Sequence, residues 1–274
     1  MDLLFESLPG DVAVELTGRD YLSYSAVTTY QSCPLRYYFR YVLGLPEETV
    51  SSALVFGSAI HAALERFYRE RMQGNSNPPL DLLQEAYQMA WRRFDDREIR
   101  FGKEEDQASL DNMANRILTT FHGSELACTP GRILGIEEEF RGELIPGCPD
   151  ILARVDLLIE TPDALVVTDF KTSRSRWNPE HVDESAGQLL LYHDLVRPLA
   201  EGRSIRLEFV VVTKTKIPDL TRHAVNFDRQ RIERTKRIVK RVWTAIQSGL
   251  FYPVPSAMNC GGCPFRKPCR DWTG

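Results

Sequence analysis

The feature of the sequence that most constrains the fold is an abrupt change of pattern at residue 132. From that point three short segments follow one another, each rich in Ile, Val and Leu and bounded by turn residues, a pattern typical of consecutive β-strands. A helical pattern over 180–196 and an apolar run within 206–216 extend them to a predicted β-β-β-α-β core of an α/β fold. The three strand segments are "RILGIEEEF" (132–140), "DILARVDLLIE" (150–160) and "ALVVTDFK" (164–171).

The chain before this core has the apolar periodicity of α-helices. Within 25–43 a break is predicted at Cys33, because Pro34 suits the first turn of a new helix. A helix over 55–72 is expected to bury one apolar stripe, formed by Ile60, Leu64, Phe67 and Tyr68. The remaining predicted elements are helices at about 80–98 and 106–126, a long basic helix at 229–247, and an extra strand at "DVAVEL" (11–16).

Length and composition indicate one globular domain of ordinary size, since 274 residues with 43% apolar and 26% charged side chains can bury a substantial core. The net charge of −4 argues against a wholly basic nucleic-acid coat protein, although it allows a local basic groove. We expect an N-terminal extension (1–20) and a single domain (21–274), divided into a helical part (about 21–130), the strand-rich core (about 131–227) and a basic helix with a cysteine-rich tail (228–274).

Several sequence features bear on location and on energy coupling. The sequence has no run of 18 apolar residues, and its first residues lack the basic region and apolar core of a signal peptide. We therefore expect a cytoplasmic protein with no membrane partner. A G-x4-G-K-S/T motif is absent, so the chain is expected to have no nucleotide-driven motor of its own.

Two carboxylates and one lysine mark the end of the predicted strand hairpin. Asp169 and Lys171 are two positions apart and therefore point to the same face of their strand. Asp156 lies thirteen positions earlier, and a short antiparallel connection would bring it beside them. Carboxylates hold Mg²⁺ or Mn²⁺, and such an ion with a nearby lysine forms the outline of a phosphodiesterase site. The solvated end of an ordinary hairpin fits the same short pattern.

With "LARVDLL" and "DFK" at this spacing, the hairpin resembles the active site of the PD-(D/E)XK nucleases, in their RecB-like branch. The resemblance implies a restriction-endonuclease-like core, in which a central mixed sheet is flanked by helices. It also implies that Asp156, Asp169 and the Phe170 carbonyl bind the metal and that Lys171 supports the attacking water. Ala153 stands near the place where the branch typically has glycine.

Two further segments extend the resemblance. "FGSAIHAALERF" resembles the helical motif whose histidine is a metal ligand in that branch, here His61, although a lone histidine on a half-buried helix is more often a packing residue. "GQLLLYHDLV" resembles the Q-x3-Y motif that lies beside the scissile strand, here Gln188 and Tyr192, which share a helix face. On its own this second pair also fits an ordinary helix surface.

The tail "CGGCPFRKPC" has metal-ligand spacing but only three thiols: Cys260, Cys263 and Cys269. Tetrahedral thiolate sites usually have four ligands. "SAVTTYQSCPLRYYFRYV" resembles the N-terminal cysteine segment of the iron–sulfur members of the branch, which implies that Cys33 is the fourth ligand of a 4Fe-4S cluster. Ligand chemistry alone fits zinc equally well. Cys128 and Cys148 are expected to be free, buried thiols.

These patterns together predict a Mg²⁺- or Mn²⁺-dependent DNA exonuclease that prefers single-stranded ends. DNA repair, recombination or CRISPR spacer acquisition is the expected setting, with a helicase or a CRISPR integrase as possible partner. Arg174, Arg176 and Trp177 are candidates for contacts with phosphates and bases. The alternatives are a non-catalytic DNA-binding subunit of a larger complex and a zinc-clasped structural protein.

Overall fold

The computed structural model describes residues 8–47, 49–128 and 130–274. The chain divides into two compact units. The core unit comprises Thr49–Glu139 and Arg154–Asp228, and the terminal unit comprises Met1–Glu48, Phe140–Ala153 and Arg229–Gly274. The domain boundaries expected from the sequence stay a prediction.

The helices are α1 (Pro9–Thr17), α2 (Tyr24–Ser32), α3 (Pro34–Tyr37), α4 (Ser52–Met72), α5 (Leu80–Arg92), α6 (Gln107–His122), α7 (Pro179–Ser185), α8 (Gly187–Val196), α9 (Arg229–Gln247), α10 (Ala257–Gly261) and α11 (Arg266–Asp271), with a π-helical turn at Tyr38–Val42 and a 3-10 turn at Arg197–Ala200. The strands are β1 (Tyr21–Ser23), β2 (Thr49–Ser51), β3 (Glu98–Arg100), β4 (Arg132–Gly142), β5 (Asp150–Glu160), β6 (Ala164–Ser173), β7 (Ser204–Thr213) and β8 (Leu220–Val225).

The core unit contains a mixed sheet, as predicted. Strand β5 pairs with β6 in antiparallel fashion, with Leu157 opposite Thr168, and β4 lies beside β5. Strand β7 runs parallel to β6 because α7 and α8 form the crossover between them. Strand β8 then returns antiparallel to β7. The α/β fold with a β-β-β-α-β order is therefore confirmed, and β8 is an addition to it.

Helices cover the sheet within the core unit. Helices α4, α5 and α6 pack on it through one large apolar cluster that includes Phe67, Trp91 and Phe170. The predicted stripe of α4 is buried throughout, and α8 packs against β6 and β7. Helix α4 begins where the Ser51 side chain accepts a hydrogen bond from the Leu54 N–H. Helix α6 begins with a capping box, in which Asp106 and Ser109 satisfy each other's backbone donors.

Several boundaries differ from the sequence prediction. The helix predicted over 80–98 ends at Arg92, and β3 follows it in a small parallel pair with β2. The helix predicted over 180–196 is interrupted at Ala186 and forms α7 and α8. "DVAVEL" lies in helix α1 instead of a strand, since Pro9 occupies the first helical turn and Gly18 ends it in the left-handed conformation.

The terminal unit joins the first and last segments of the chain. Strand β1 pairs in parallel with the beginning of β5, with Tyr21 opposite Asp150. The Tyr30 hydroxyl donates to the Leu250 carbonyl at 2.6 Å, and the Leu35 N–H donates to the Tyr252 carbonyl at 3.0 Å. Helix α9 has the predicted bounds and buries Ile232, Val239, Trp243 and Ile246.

Across the described part of the chain, no helix combines the length and the apolar character needed to cross a membrane.

Candidate active site

The β5–β6 pairing places the two predicted aspartates together in the core unit. Leu157, the residue after Asp156, pairs with Thr168, the residue before Asp169. Asp156 and Asp169 therefore lie opposite each other on the two strands. The Phe170 N–H donates to Asp156 Oδ2 at 2.7 Å and fixes that side chain. Asp169 is buried, with 3% of its surface exposed. The hairpin end is therefore a buried acidic site and not a solvated turn.

A histidine and a second acidic residue complete the group. His61 Nδ1, on α4, lies 3.5 Å from Asp156 Oδ2 and 3.9 Å from Glu137 Oε1. One ligand atom from each of His61, Glu137 and Asp156 lies within 4.8 Å of the others. Ligands of an octahedral Mg²⁺ ion lie about 3.0 to 4.2 Å apart, because each is about 2.1 Å from the ion. The three side chains are thus close to the separation that one such ion requires.

Glu137 is the site residue that the sequence analysis missed. It lies in β4 with φ of 52°, a left-handed backbone conformation that is rare for a residue with a side chain. Such strained residues are common at active sites, where the surrounding structure holds them. The acidic run "IEEEF" beside the predicted hairpin was the available signal. It did not show which of the three glutamates points into the site.

The electrostatics of the group reflect its burial. Desolvation, followed by the charge of Asp169, raises the pKa of Asp156. Burial alone would lower the pKa of His61, but the Glu137 and Asp156 carboxylates outweigh it, and the net shift is upward. Burial likewise opposes ionisation of Glu137, yet its contacts with His61 and Arg154 bring its pKa below the usual value. The site concentrates negative charge that a cation would neutralise.

Lys171 is held by a chain of polar contacts. Its Nζ forms an ion pair with Asp169 Oδ2 at 2.6 Å, although the geometry is not that of a hydrogen bond. The same Nζ donates a hydrogen bond to Gln188 Oε1 at 3.2 Å. Gln188 Nε2 in turn donates to the Tyr192 hydroxyl at 2.8 Å. Tyr192 is buried and also receives a hydrogen bond from the backbone of Arg154. Gln188 of the Q-x3-Y motif therefore contacts the lysine directly, and Tyr192 contacts Gln188.

An open cleft of about 520 Å³ leads to the acidic group. The small residues of α4 form its floor. One of them, Gly57, lies close to Thr172 at the end of β6: a Cβ atom at position 57 would be 3.4 Å from the Thr172 hydroxyl oxygen. Arg93 and Phe94 line it together with His61, Glu137 and Arg154. Arg154 pairs with Glu137 at 2.8 Å, whereas Arg93 has no ion-pair partner among the described residues.

The model of the PD-(D/E)XK nuclease superfamily matches residues 21–270. The chain belongs to this superfamily. Nucleases of the superfamily use divalent metal ions, and the donor set of this site is compatible with one.

One solved structure supports the fold: a protein from Eubacterium rectale whose name is "Putative exonuclease", which is 16% identical with a TM-score of 0.61, over 100% of this chain and 94% of that one. Another, SSO0001, is 17% identical with a TM-score of 0.35, over 80% of this chain and 85% of that one. No curated protein matches the sequence.

The basic and aromatic residues after β6 are partly engaged in contacts within the chain. The Trp177 ring stacks on His181, with 4.3 Å between ring centroids, so one face of the indole is covered. Arg176 pairs with Asp219 at 2.8 Å, and Arg174 lies 3.6 Å from Glu105. Both guanidinium groups remain mostly exposed. Their contact with nucleic acid stays a prediction.

The four predicted cysteine ligands line one small cavity of about 50 Å³ in the terminal unit. Cys33, Cys260, Cys263 and Cys269 are half-buried around it, and all but Cys260 pack against a small apolar cluster of Leu35, Phe39 and Phe265. Burial, followed by the proximity of the other three thiols, raises the pKa of Cys269. Arg36 Nε also lines this region, buried and without a hydrogen-bond partner among the described residues. The sequence thus identified four thiols that converge in space.

The two leftover cysteines lie elsewhere. Cys148 is buried, as expected, and burial raises its pKa to about 11. Cys128 is exposed, so the expectation of a buried thiol is wrong there. It follows α6 in a run of turns, and its side chain is exposed.

Proposed function

We propose that this superfamily member is a metal-dependent DNA exonuclease of the RecB-like branch. The observation that carries the proposal is the group of His61, Glu137 and Asp156 ligand atoms within 4.8 Å of one another. Beside it, the neighbouring strand presents Asp169 and Lys171. A packing histidine or a solvated hairpin would not need two buried carboxylates and a lysine at one point.

The donor set fits Mg²⁺ or Mn²⁺. Carboxylate oxygens with one imidazole suit these ions, and Mn²⁺ accepts nitrogen more readily than Mg²⁺ does. Asp169 Oδ2 is buried beside the Lys171 ammonium and makes no hydrogen bond to any described residue, so its lone pairs can serve as a further ligand. We assign Asp156, Asp169, His61 and Glu137 to the metal site, with the Phe170 carbonyl as the remaining predicted ligand. The bound ion supplies charge neutralisation at the scissile phosphate.

Lys171 then acts on the attacking water. An ammonium has three N–H donors, and Lys171 uses one of them in its hydrogen bond to Gln188, which leaves donors for a water molecule or a phosphate oxygen. Gln188 and Tyr192 act through this lysine as positioning residues, because Tyr192 is buried behind Gln188 and Gln188 contacts Nζ. Preorganised charge of this kind stabilises the negative charge that develops on the phosphate in the transition state.

The cleft provides the path for the strand. Its volume lies within the range of about 300–1,000 Å³ that small-molecule ligand sites occupy, so single nucleotides fit it. Arg93 is positioned for a phosphate, and Phe94 offers an aromatic surface beside it. A site reached along helix α4 favours single-stranded DNA with a free end over blunt duplex.

The test of this function is degradation of end-labelled single-stranded DNA with and without Mn²⁺. Asp156→Ala and Asp169→Ala should each abolish metal-dependent degradation while leaving DNA binding in place. Asp163→Ala, at the exposed turn of the same hairpin, is the matched control and should retain wild-type activity. Wild-type rates in the two site variants would refute the assignment. DNA binding without cleavage by the wild-type protein would favour the non-catalytic subunit.

We further propose that the four clustered cysteines hold a 4Fe-4S cluster. The four thiols line one small cavity, which supports a shared metal centre, and the resemblance of the cysteine segments to those of the iron–sulfur members of the branch favours a 4Fe-4S cluster over zinc. The buried Arg36 donor is suited to the negative charge of a thiolate-bound centre.

Metal analysis distinguishes the two centres. Protein purified without oxygen should be brown and contain about four irons per chain. Colourless, zinc-loaded protein from iron-replete cells would refute the cluster and support a zinc clasp. A role in DNA repair, recombination or CRISPR spacer acquisition, with a helicase or integrase partner, is part of the same proposal.

A further inference from the structure

Helix α9 concentrates positive charge in an otherwise acidic chain. Residues 229–241 contain seven Lys or Arg and one Glu, a net charge of +6, whereas the whole chain carries −4. The proposed chemistry uses none of these residues. A solvated helix face usually mixes both signs of charge, so this imbalance calls for a partner of opposite charge.

The charge lies on one face of α9. The opposite face is buried through Ile232, Val239, Val242, Trp243 and Ile246. The exposed cations have no ion-pair partner among the described residues, whereas the single acidic residue, Glu233, is 3.7 Å from Lys236. These unneutralised cations are Arg229, Arg234, Arg237, Lys240 and Arg241.

Three of them form the centre of this surface, which we call the arginine face: Arg234, Arg237 and Arg241. Their spacing of three and four residues places them side by side on the helix. From Arg229 to Arg241 the cations extend over about 18 Å, at 1.5 Å per residue. A lipid surface is an unsuitable occupant, because the apolar side of α9 is already buried and cannot enter a bilayer.

We propose that the arginine face binds the phosphate backbone of the nucleic-acid substrate without reading its bases. This inference rests on the proposed function for its substrate class. Guanidinium groups pair with phosphate oxygens through two parallel hydrogen bonds, and DNA presents phosphates at regular short intervals along its backbone. The face is a separate source of affinity, since none of its residues belongs to the metal group or the cleft.

The experiment measures how DNA affinity depends on salt, with EDTA present to suppress cleavage. The test protein carries Arg234→Gln, Arg237→Gln and Arg241→Gln together. The control carries Arg92→Gln, Lys103→Gln and Arg116→Gln, three exposed cations elsewhere, and has the same net charge. Fluorescence anisotropy of a labelled single-stranded oligonucleotide gives the dissociation constant between about 50 and 200 mM salt. Circular dichroism confirms that both variants are folded.

We expect the salt slope of the test protein to fall by about 2, at about 0.7 for each lost phosphate contact, and its affinity to fall tenfold or more. The control should follow the wild type, and the kcat of the test protein at saturating DNA should be unchanged.

If both variants lose DNA affinity equally, net charge alone explains the effect and the proposal is overturned. Unchanged DNA affinity in the test protein would also overturn it. Binding of polyglutamate, but not DNA, through the three arginines would identify an acidic polypeptide as the occupant. Wild-type protein that binds DNA through this face and never cuts it would refute the nuclease function alone.

Discussion

The acidic group and the cysteine cavity are both candidate metal sites, but they are built in opposite ways. The acidic group stands on paired strands, and Asp156, Asp169 and Lys171 come from sixteen consecutive residues. The cysteine cavity joins Cys33 to thiols more than 220 positions later in the chain. In the first case paired strands position the two aspartates without metal, whereas in the second a few polar contacts and a small apolar cluster hold distant segments together.

This difference indicates that the stability of the fold depends on the cysteine site more than on the acidic site. Removing a metal from preformed carboxylates leaves a strained but folded site, and the cost appears in the rate. Removing a metal that joins distant segments takes away folding energy itself. Substitutions at the acidic group should therefore change the rate of the reaction, and substitutions at the thiols should change the stability of the protein.

The largest effect is expected for Lys171→Ala. Loss of a charge that stabilises the transition state typically costs about a hundredfold to a thousandfold in rate. Metal-dependent degradation of single-stranded DNA should fall by that factor, while the melting temperature stays near that of the wild type. Lys216→Ala, an exposed lysine beyond β7, is the control and should be fully active. A variant at position 171 with more than a tenth of the wild-type rate would contradict the role of the lysine.

Cys33→Ala should act on stability instead. Loss of a structural metal centre costs ~3 kcal/mol or more, and 1 kcal/mol shifts the melting temperature of a chain of this size by about 2–4 °C, so a fall of about 10 °C is expected. Iron content should drop, and limited proteolysis should cut the tail after α9 first. Cys128→Ala, at an exposed thiol, should change neither. Full metal content in the Cys33 variant would show that this residue is no ligand.

A smaller effect is expected for Arg93→Ala in the cleft. A phosphate contact made equally in the bound substrate and the transition state raises KM and leaves kcat unchanged. We expect KM for short single strands to rise about tenfold, with a smaller dependence on salt. The adjacent, exposed Arg92 lies outside the cleft lining, and its alanine variant is the matched control. If both variants behave alike, the strand does not follow this cleft.

The smallest effect concerns pH and metal. The folded-state pKa values of Asp156 and His61 are both raised. Their contributions to stability are therefore present at low pH and are lost as the pH rises through those raised values. The metal-free protein should lose stability from acidic to neutral pH, and Mn²⁺ should restore ~1 kcal/mol, or about 2–4 °C, chiefly at the higher pH. Asp156→Asn should flatten both trends in thermal melts. A Mn²⁺ effect that is larger at acidic pH would contradict this.

The sequence predicted contacts between residues that are close in the chain better than contacts between distant residues. The hairpin with Asp156, Asp169 and Lys171 was predictable because a strand period of two and a short connection fix the relative positions of nearby residues. Glu137 was not, since it comes from another strand in a left-handed conformation that no local pattern shows. Strands β2 and β3 were missed because each has three residues, too few for a period to emerge.

The cysteines show the reverse case. Their convergence was identified from a resemblance, because no local physical rule links residue 33 with residues 260–269. The break at Ala186 was missed because the apolar pattern continues through the interruption, although Gly187 directly after it was a local signal. Long-range geometry is the part that sequence periodicity does not contain.

The most direct test of the acidic group as the catalytic metal centre uses one sample before and after chelation of its divalent ions with EDTA. Nuclease activity, iron content and melting temperature are measured in both states. We predict that nuclease activity falls to background and returns with Mn²⁺, while the iron content and brown colour persist and the melting temperature moves by only a few degrees. Activity that survives complete removal of divalent ions would contradict the acidic site as the catalytic metal centre. Unfolding on loss of those ions alone would contradict the division between the two sites.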